Sequence, residues 1–100
     1  MENKNYNCAS QQRILSLVET LAGNEIDGLS VTEISKRMNC STSAAFRDLN
    51  NLETAGWAEC LQDNKWRLTV KTAHLLRKVT DNINTALKNV NKIHTSYLQQ

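Results

Sequence analysis

The side chains best suited to chemistry on a ligand occupy one short stretch, residues 40–57, "CSTSAAFRDLNNLETAGW". Its polar positions hold hydroxyls, carboxamides and a single arginine, whereas a helix face that meets only solvent is usually rich in Glu and Lys. Arg47 can donate two hydrogen bonds to guanine, and Asn50 can bond adenine in the same bidentate way. Serine and threonine hydroxyls bond several base edges, and a Phe ring can contact the thymine methyl group. The predicted base contacts are therefore Thr42, Ser43, Phe46, Arg47 and Asn50.

Each of these assignments has a plain structural alternative. Phe46 could pack against a neighbouring helix or hairpin instead of a base. Arg47 could form a local ion pair with Asp48 or Glu53, and Asn50 could be an exposed polar residue without a ligand. The sequence alone leaves these alternatives open.

A third helix of the chain must carry these side chains. Its apolar residues Ala45, Leu49 and Leu52 fall on one narrow stripe, opposite the polar face. Ser41 can cap its N-terminus, and Gly56 can adopt the left-handed conformation that ends a helix. The pattern predicts a helix that buries one face and presents the other.

A second, shorter helix comes immediately before it. In "LSVTEI", Ser30 and Glu33 form a capping box, and Leu29 and Ile34 form a hydrophobic staple. About three residues separate this helix from the third one, which is the length of a helix-turn-helix connection. At its end, the cations predicted to hold the phosphate backbone without reading sequence are Lys36 and Arg37.

A helix and a hairpin complete the predicted domain. An amphipathic first helix follows from the spacing of Ile14, Leu17, Val18 and Leu21. After the third helix, "WAECLQ" and "KWRLT" alternate around "DN", which predicts a two-residue hairpin turn. The inward side chains should be Ala58, Cys60, Trp66 and Leu68, and the hairpin cations predicted to reach phosphate or the minor groove are Lys65 and Arg67.

The last thirty residues predict one long helix with a heptad seam. Its apolar residues step by three and four along three repeats, as in a coiled coil. A helix of this length would extend roughly 40 Å at ~1.5 Å per residue, and its distal half needs a partner. The predicted dimerisation residues are Leu76, Val79, Ile83, Ala86, Val90, Ile93 and Tyr97.

Charge is unevenly divided along the chain. Residues 1–64 hold five basic and nine acidic side chains, a net charge of −4, and the rest of the chain has a net charge of +6. A polyanion should therefore be attracted mainly by the second hairpin strand and the last helix.

Catalytic and metal-site motifs are missing from the sequence. It contains no glycine-rich phosphate loop, no nucleophile elbow and no H-E-x-x-H motif. Cys8, Cys40 and Cys60 include no C-x-x-C pair, and His74 and His94 are far from each other and from any cysteine. The sequence predicts free thiols and a protein that is not an enzyme and has no cofactor or metal ion.

The sequence also lacks a membrane or export signal. The N-terminus "MENKNYNCAS" has no apolar core of a signal peptide, and no apolar run approaches 18 residues. We expect a cytoplasmic protein that does not bind membranes.

These residues together resemble the winged helix-turn-helix domain of IclR-type transcriptional regulators. The similarity lies in "QQRIL", "GLSVTEIS", the "S-x-A-x-R" of the third helix, "LETAGW" and the hairpin ending "RL", over about residues 10–75. The "L-E-x-x-G" passage is shared with MarR-type winged helices. The resemblance implies a dimeric DNA-binding domain, with Ser43 and Arg47 in the major groove and Lys65 to Arg67 in the wing.

Two departures from the IclR pattern stand out. Asp48 occupies a position where the family has an apolar residue. The effector-binding domain of that family has no counterpart in this sequence, so no small-molecule effector is implied.

The sequence therefore predicts a mainly α fold with a small β-hairpin wing. We expect a flexible tail over residues 1–9, a winged helix-turn-helix domain over residues 10–69, and a long dimerisation helix over residues 70–100. The predicted function is a homodimeric regulator of transcription that binds double-stranded DNA at a specific sequence. The alternative is a winged-helix module or accessory factor that binds another protein and does not read DNA sequence.

Overall fold

A computed structural model describes residues 6–99 of the 100-residue chain. The mainly helical class with a small hairpin and a long C-terminal helix is confirmed. The chain divides into two compact units between Thr69 and Val70. The elements in chain order are α1 (Ala9–Leu21), α2 (Val31–Met38), α3 (Thr42–Thr54), β1 (Ala58–Cys60), β2 (Trp66–Leu68) and α4 (Lys71–Leu98).

The predicted N-terminal tail, residues 1–9, falls only partly within the described chain. Residues 1–5 lie outside the described residues. Residues 6–8 have no regular secondary structure, and Ala9 begins α1.

The helix-turn-helix begins at the predicted caps. The hydroxyl of Ser30 accepts a hydrogen bond from the Glu33 N–H at 3.1 Å, and the Glu33 carboxylate accepts one from the Ser30 N–H at 3.1 Å. The hydroxyl of Ser41 accepts from the Ala44 N–H at 3.0 Å. Between the helices, Asn39 adopts the left-handed conformation (φ 53°) and makes the turn tight. The capping box and the Ser41 cap are both confirmed.

The capping box also makes folding sensitive to acid. Hydrogen bonds to the Glu33 carboxylate, first from the backbone of Ser30 and then from its hydroxyl, lower the pKa of Glu33. A carboxyl group whose folded-state pKa is depressed stabilises the fold above its unfolded-state pKa. This contribution is lost as the pH falls through the folded-state pKa of Glu33.

The core of the first unit lies where the three helices meet the hairpin. Leu17 and Leu21 of α1, Ile34 of α2 and Leu49 of α3 are fully buried. The predicted inner stripe of α3 is confirmed, since its apolar residues all lie in this cluster. The buried apolar residues are Leu17, Leu21, Leu29, Ile34, Ala45, Leu49, Leu52, Ala58, Trp66 and Leu68.

The hairpin turn differs from the predicted two-residue turn. The Leu61 N–H donates to the Lys65 carbonyl at 2.6 Å, and the Asn64 N–H donates to the Leu61 carbonyl at 3.1 Å. These bonds close a three-residue loop whose last residue, Asn64, has φ 62°. The prediction was wrong because a two-residue type I′ turn needs positive φ at two positions, and this loop has it at one.

The inward set of the hairpin is correct except for Cys60. Ala58, Trp66 and Leu68 are buried, whereas Cys60 is exposed. Cys60 is the last residue of a three-residue strand, next to the loop, and solvent reaches its side chain there. All three cysteines of the chain are free thiols.

The segment before α2 pairs with β2 of the hairpin at a single residue. Leu29 and Trp66 exchange two backbone hydrogen bonds of 2.9 and 2.8 Å and form an isolated antiparallel bridge. Gly28, just before it, is buried and has φ +73°. A Cβ atom on Gly28 would lie 3.0 Å from both the Lys65 Cβ and the Trp66 carbonyl oxygen.

We expect Gly28→Ala to lower the free energy of unfolding by about 2–3 kcal/mol. The left-handed backbone alone costs an alanine ~1–2 kcal/mol, and the crowding against the hairpin adds to it. Gly23→Ala is the matched control, because Gly23 has φ +91° but nothing within 4 Å of an added Cβ. Urea unfolding of both variants measures the difference. Equal losses for the two variants would show that the approach of Gly28 to the hairpin has no energetic consequence.

The second unit is dominated by α4, a helix of 28 residues. None of its residues is buried, and its large apolar side chains are all at least 50% exposed. All seven residues of the predicted seam are exposed in the single chain.

Candidate nucleic-acid interface

The outer face of α3 gathers the predicted base contacts. The helix is held on its inner side by Ala45, Leu49 and Leu52, which are buried. At about 100° per residue, the opposite face presents side chains from the first three turns. The residues exposed there are Thr42, Ser43, Phe46, Arg47 and Asn50.

Arg47 has its guanidinium free on this surface. Within residues 6–99, the side chain of Arg47 forms no ion pair and no hydrogen bond. The local pair with Asp48 or Glu53, one of the open alternatives, is therefore not formed. The neighbouring Asn51 instead donates to the Arg47 backbone carbonyl at 2.9 Å.

Phe46 and Asn50 also keep their side chains accessible. The Phe46 ring is 51% exposed and lies outside the core cluster. The Asn50 backbone carbonyl accepts from the Thr54 hydroxyl at 2.9 Å, and in the described chain its carboxamide has no partner. The carboxamide therefore remains available for a ligand.

Asp48 has a structural role that the sequence analysis missed. The Arg13 Nε lies 2.5 Å from Asp48 Oδ2, and the Arg13 Nη2 lies 3.1 Å from Asp48 Oδ1. Asp48 is only 5% exposed. The hydrogen bond to this carboxylate raises the pKa of Arg13, so the guanidinium stays charged. The two-pronged pair links α1 to the inner side of α3.

One sign of this pair was present in the sequence. An acidic residue within an apolar stripe requires a basic partner, since an unpaired buried carboxylate is costly. The pattern did not identify Arg13 as that partner, because the two residues are 35 positions apart and local periodicity carries no information over that range.

The predicted phosphate contacts fall into two groups. Lys36 and Arg37 are exposed in the last turn of α2, and Lys65 is partly exposed beside the hairpin loop. Their side chains form no ion pair or hydrogen bond with residues 6–99. Arg67, in contrast, is occupied within the first unit.

The Arg67 guanidinium attaches the hairpin to the loop before α2. Its Nε lies 2.8 Å from the Glu59 carboxylate, and its Nη1 donates to the Glu25 carbonyl at 3.2 Å. These bonds hold the wing in place, and they compete with any contact from Arg67 to a phosphate.

The net charge of the first unit is slightly negative. Residues 1–69 contain seven basic and nine acidic side chains, a net charge of −2, whereas residues 70–100 have a net charge of +4. Because Asp48 is neutralised by Arg13, the outer face of α3 keeps the positive potential of Arg47. The surface around α3 therefore attracts a polyanion through a few local cations, not through the field of the whole unit.

Other classes of site have little support from the described residues. Among residues 6–99, no three His, Cys, Asp or Glu side chains cluster in a way that could hold a metal ion. Over the same range, no helix combines the length and hydropathy of a membrane span.

The fold is similar to that of a solved winged-helix protein. A multiple antibiotic-resistance repressor (MarR) from Listeria monocytogenes 4b F2365 matches it with a TM-score of 0.52, over 88% of this chain and 75% of that chain, at 19% sequence identity. The predicted winged-helix architecture is thus confirmed, and at this identity the similarity concerns the fold alone. No protein-family model matches the sequence, and no curated protein matches it.

Proposed function

We propose that this protein is a winged helix-turn-helix regulator of transcription that binds double-stranded DNA as a homodimer. The observation that carries the proposal is the outer face of α3, where Arg47 and Asn50 are exposed and unpaired. Their helix is anchored by a buried stripe and by the Arg13–Asp48 pair. Such a face is well suited to enter a major groove with its side chains already oriented.

The chemistry of this face fits the base edges of DNA. A recognition helix presents its N-terminal residues to the bases. Arg47 would bond O6 and N7 of a guanine, and Asn50 would bond N6 and N7 of an adenine. The half-exposed Phe46 ring would contact a thymine methyl group, and the hydroxyls of Thr42 and Ser43 would bond a base edge or a phosphate.

The contacts to phosphate would come from Lys36, Arg37 and Lys65. These three cations form no ion pair or hydrogen bond among residues 6–99 and lie in α2 and beside the hairpin loop. We assign Arg67 to holding the wing, because its guanidinium is bonded to Glu59 and Glu25. With so few phosphate contacts, binding to nonspecific DNA should be weak, and base contacts should supply most of the discrimination.

The dimer would form through α4, whose apolar side chains lie exposed in the single chain. Two-fold symmetry then requires a nearly palindromic DNA site with half-sites about one helical turn apart. The sequence motifs shared with IclR-type regulators support a relationship to that group within the broader set of MarR-like winged helices.

We expect Arg47→Ala to lower the affinity for the specific site by ~1–3 kcal/mol and to relax specificity at one base pair per half-site. Selection from a random duplex pool, with wild type and variant in parallel, measures both effects. Arg77→Ala is the matched control, because it removes an arginine from the exposed surface of α4. A uniform loss on all sequences would reassign Arg47 to a phosphate contact.

The same selection tests the alternative function, a protein-interaction module or accessory factor that does not read DNA sequence. The acidic balance of the first unit and the half-exposed Phe46 favour that alternative. A folded wild-type sample that enriches no DNA sequence would support it and overturn the proposed regulator.

A further inference from the structure

The apolar surface of α4 is long and continuous. Nine large apolar side chains of this helix are at least 50% exposed. Six of them belong to the predicted seam and form an apolar stripe that soluble monomers rarely leave uncovered. In heptad notation, position a is occupied by Leu76, Ile83, Val90 and Tyr97, and position d by Thr72, Val79, Ala86 and Ile93. How two such helices pair depends on the dimer that we propose above.

The positions of the charged residues of α4 allow a second copy of the same helix to pack against this stripe. All of its charged residues occupy positions b, c and f, on the side away from the seam: Lys71, Arg77, Lys78, Asp81, Lys88 and Lys92. The flanking e and g positions carry no charge. Two copies therefore meet without repulsion between lysines, and no charge pattern at e and g selects a different partner or a parallel orientation.

The length of the helix and the phase of its heptads agree in one antiparallel register. When two copies of α4 lie antiparallel with their ends flush, Lys71 of one is level with Leu98 of the other. In this same register every a position faces a d position. The layers are Leu76 with Ile93, Ile83 with Ala86, Val90 with Val79, and Tyr97 with Thr72, each formed twice by symmetry.

Two of these four antiparallel layers pair a large side chain with a smaller one, and the other two pair side chains of similar size. Ile83 fills the space beside Ala86, and Tyr97 lies opposite the smaller Thr72. A parallel pair in register would place Ala86 against its own copy at the centre and Tyr97 against its own copy at the end. It would also place β-branched residues at d, where parallel two-stranded coiled coils prefer leucine. Packing therefore favours the antiparallel pair.

We propose that the α4 helices of two copies pack antiparallel along their full length, with the two-fold axis between Asn84 and Thr85. The two Lys71 ends, where the winged-helix units are attached, then lie about 40 Å apart at ~1.5 Å per residue.

Distances between spin labels on α4 test this arrangement in the full chain. Nitroxides are placed one at a time at Thr95→Cys and Thr85→Cys, both exposed outer positions, in a C8S/C40A/C60S background. In the antiparallel dimer the two Thr85 sites are nearly level, whereas the two Thr95 sites are about 30 Å apart along the axis at ~1.5 Å per residue. We expect pulsed dipolar spectroscopy to give a short distance for Thr85 and a much longer one for Thr95.

The outcomes separate the pairing from the proposed function. Two short, similar distances in a sample of dimeric mass would overturn the antiparallel pairing and leave the dimer in place. A monomeric mass by sedimentation, for this background and for wild type, would overturn the dimer and the pairing together. DNA selection with wild type tests the regulator independently of both.

Discussion

Val90→Asp should convert the protein from a dimer to a monomer at micromolar concentration. Val90 lies in the α4 seam and is 60% exposed in the single chain, and the proposed dimer covers it with a partner helix. In a dimer the new carboxylate would be buried twice, once from each copy. No cation lies at the positions that flank the seam, so the carboxylate would lack a partner, at a cost of several kcal/mol per copy.

Asn91→Asp is the control for Val90→Asp. It adds the same charge one residue further along α4, at position b on the side away from the seam. Sedimentation velocity should show the mass of a monomer for Val90→Asp and of a dimer for Asn91→Asp. The helix content of both, measured by circular dichroism, verifies that the first unit still folds. An unchanged dimeric mass for Val90→Asp would remove the seam from the interface.

Dissociation should also weaken binding to the DNA site. In a dimer, the two winged-helix units are linked, so that once one unit binds a half-site the other has a high effective concentration at the second half-site. This linkage raises the affinity for a palindromic site roughly 10²–10⁴-fold. The Val90→Asp monomer should lose most of that gain while keeping its base preference within a half-site. A monomer that binds the full site as tightly as wild type would show that DNA recognition does not depend on the dimer.

The parts of this fold that the sequence predicted well are determined by neighbouring residues. The boundaries of α2 and α3 follow from Ser30, Glu33 and Ser41, whose side chains bond backbone groups three residues away. The buried stripe of α3 follows in the same way from the helical period. Such interactions are complete within a single turn, so a local pattern is sufficient to find them.

The features that the sequence predicted wrongly or not at all depend on residues distant in the chain or on the backbone conformation of a single residue. The loop length depended on one left-handed residue, Asn64, and "DN" allows one or two such residues. The hydrogen bond from Arg67 to the Glu25 carbonyl, 42 residues away, depends on the packing of the hairpin against a distant loop. Charge counting identifies cations in a sequence but does not show which of them already have partners.

The Arg13–Asp48 pair joins α1 to the buried side of α3. We expect Asp48→Ala to lower the melting temperature by about 10 °C or more, since removing one partner leaves the guanidinium of Arg13 without its carboxylate. Arg13→Met/Asp48→Leu should recover most of the loss, because an apolar pair of similar volume packs without the desolvation of two charges. Thermal unfolding of the two variants measures the recovery.

A surface ion pair provides the comparison for this effect. Glu59 and Arg67 form a pair of similar length, but both side chains are more than a third exposed. Glu59→Ala should therefore change the melting temperature little. If Asp48→Ala were as mild as Glu59→Ala, the Arg13–Asp48 pair would have no special part in the fold.

The double variant also separates stability from orientation. Arg13→Met/Asp48→Leu keeps every residue on the outer face of α3 but replaces a directional two-pronged contact with an apolar one that tolerates rotation. If the pair orients α3, the double variant should melt near the wild-type temperature and yet bind the selected DNA site more weakly, with discrimination reduced at several base pairs instead of one. Recovery of both stability and wild-type discrimination would show that the buried apolar stripe alone orients the helix. A loss confined to the base pair read by Arg47 would instead point to a local effect on its neighbour, because Asp48 directly follows Arg47 in α3.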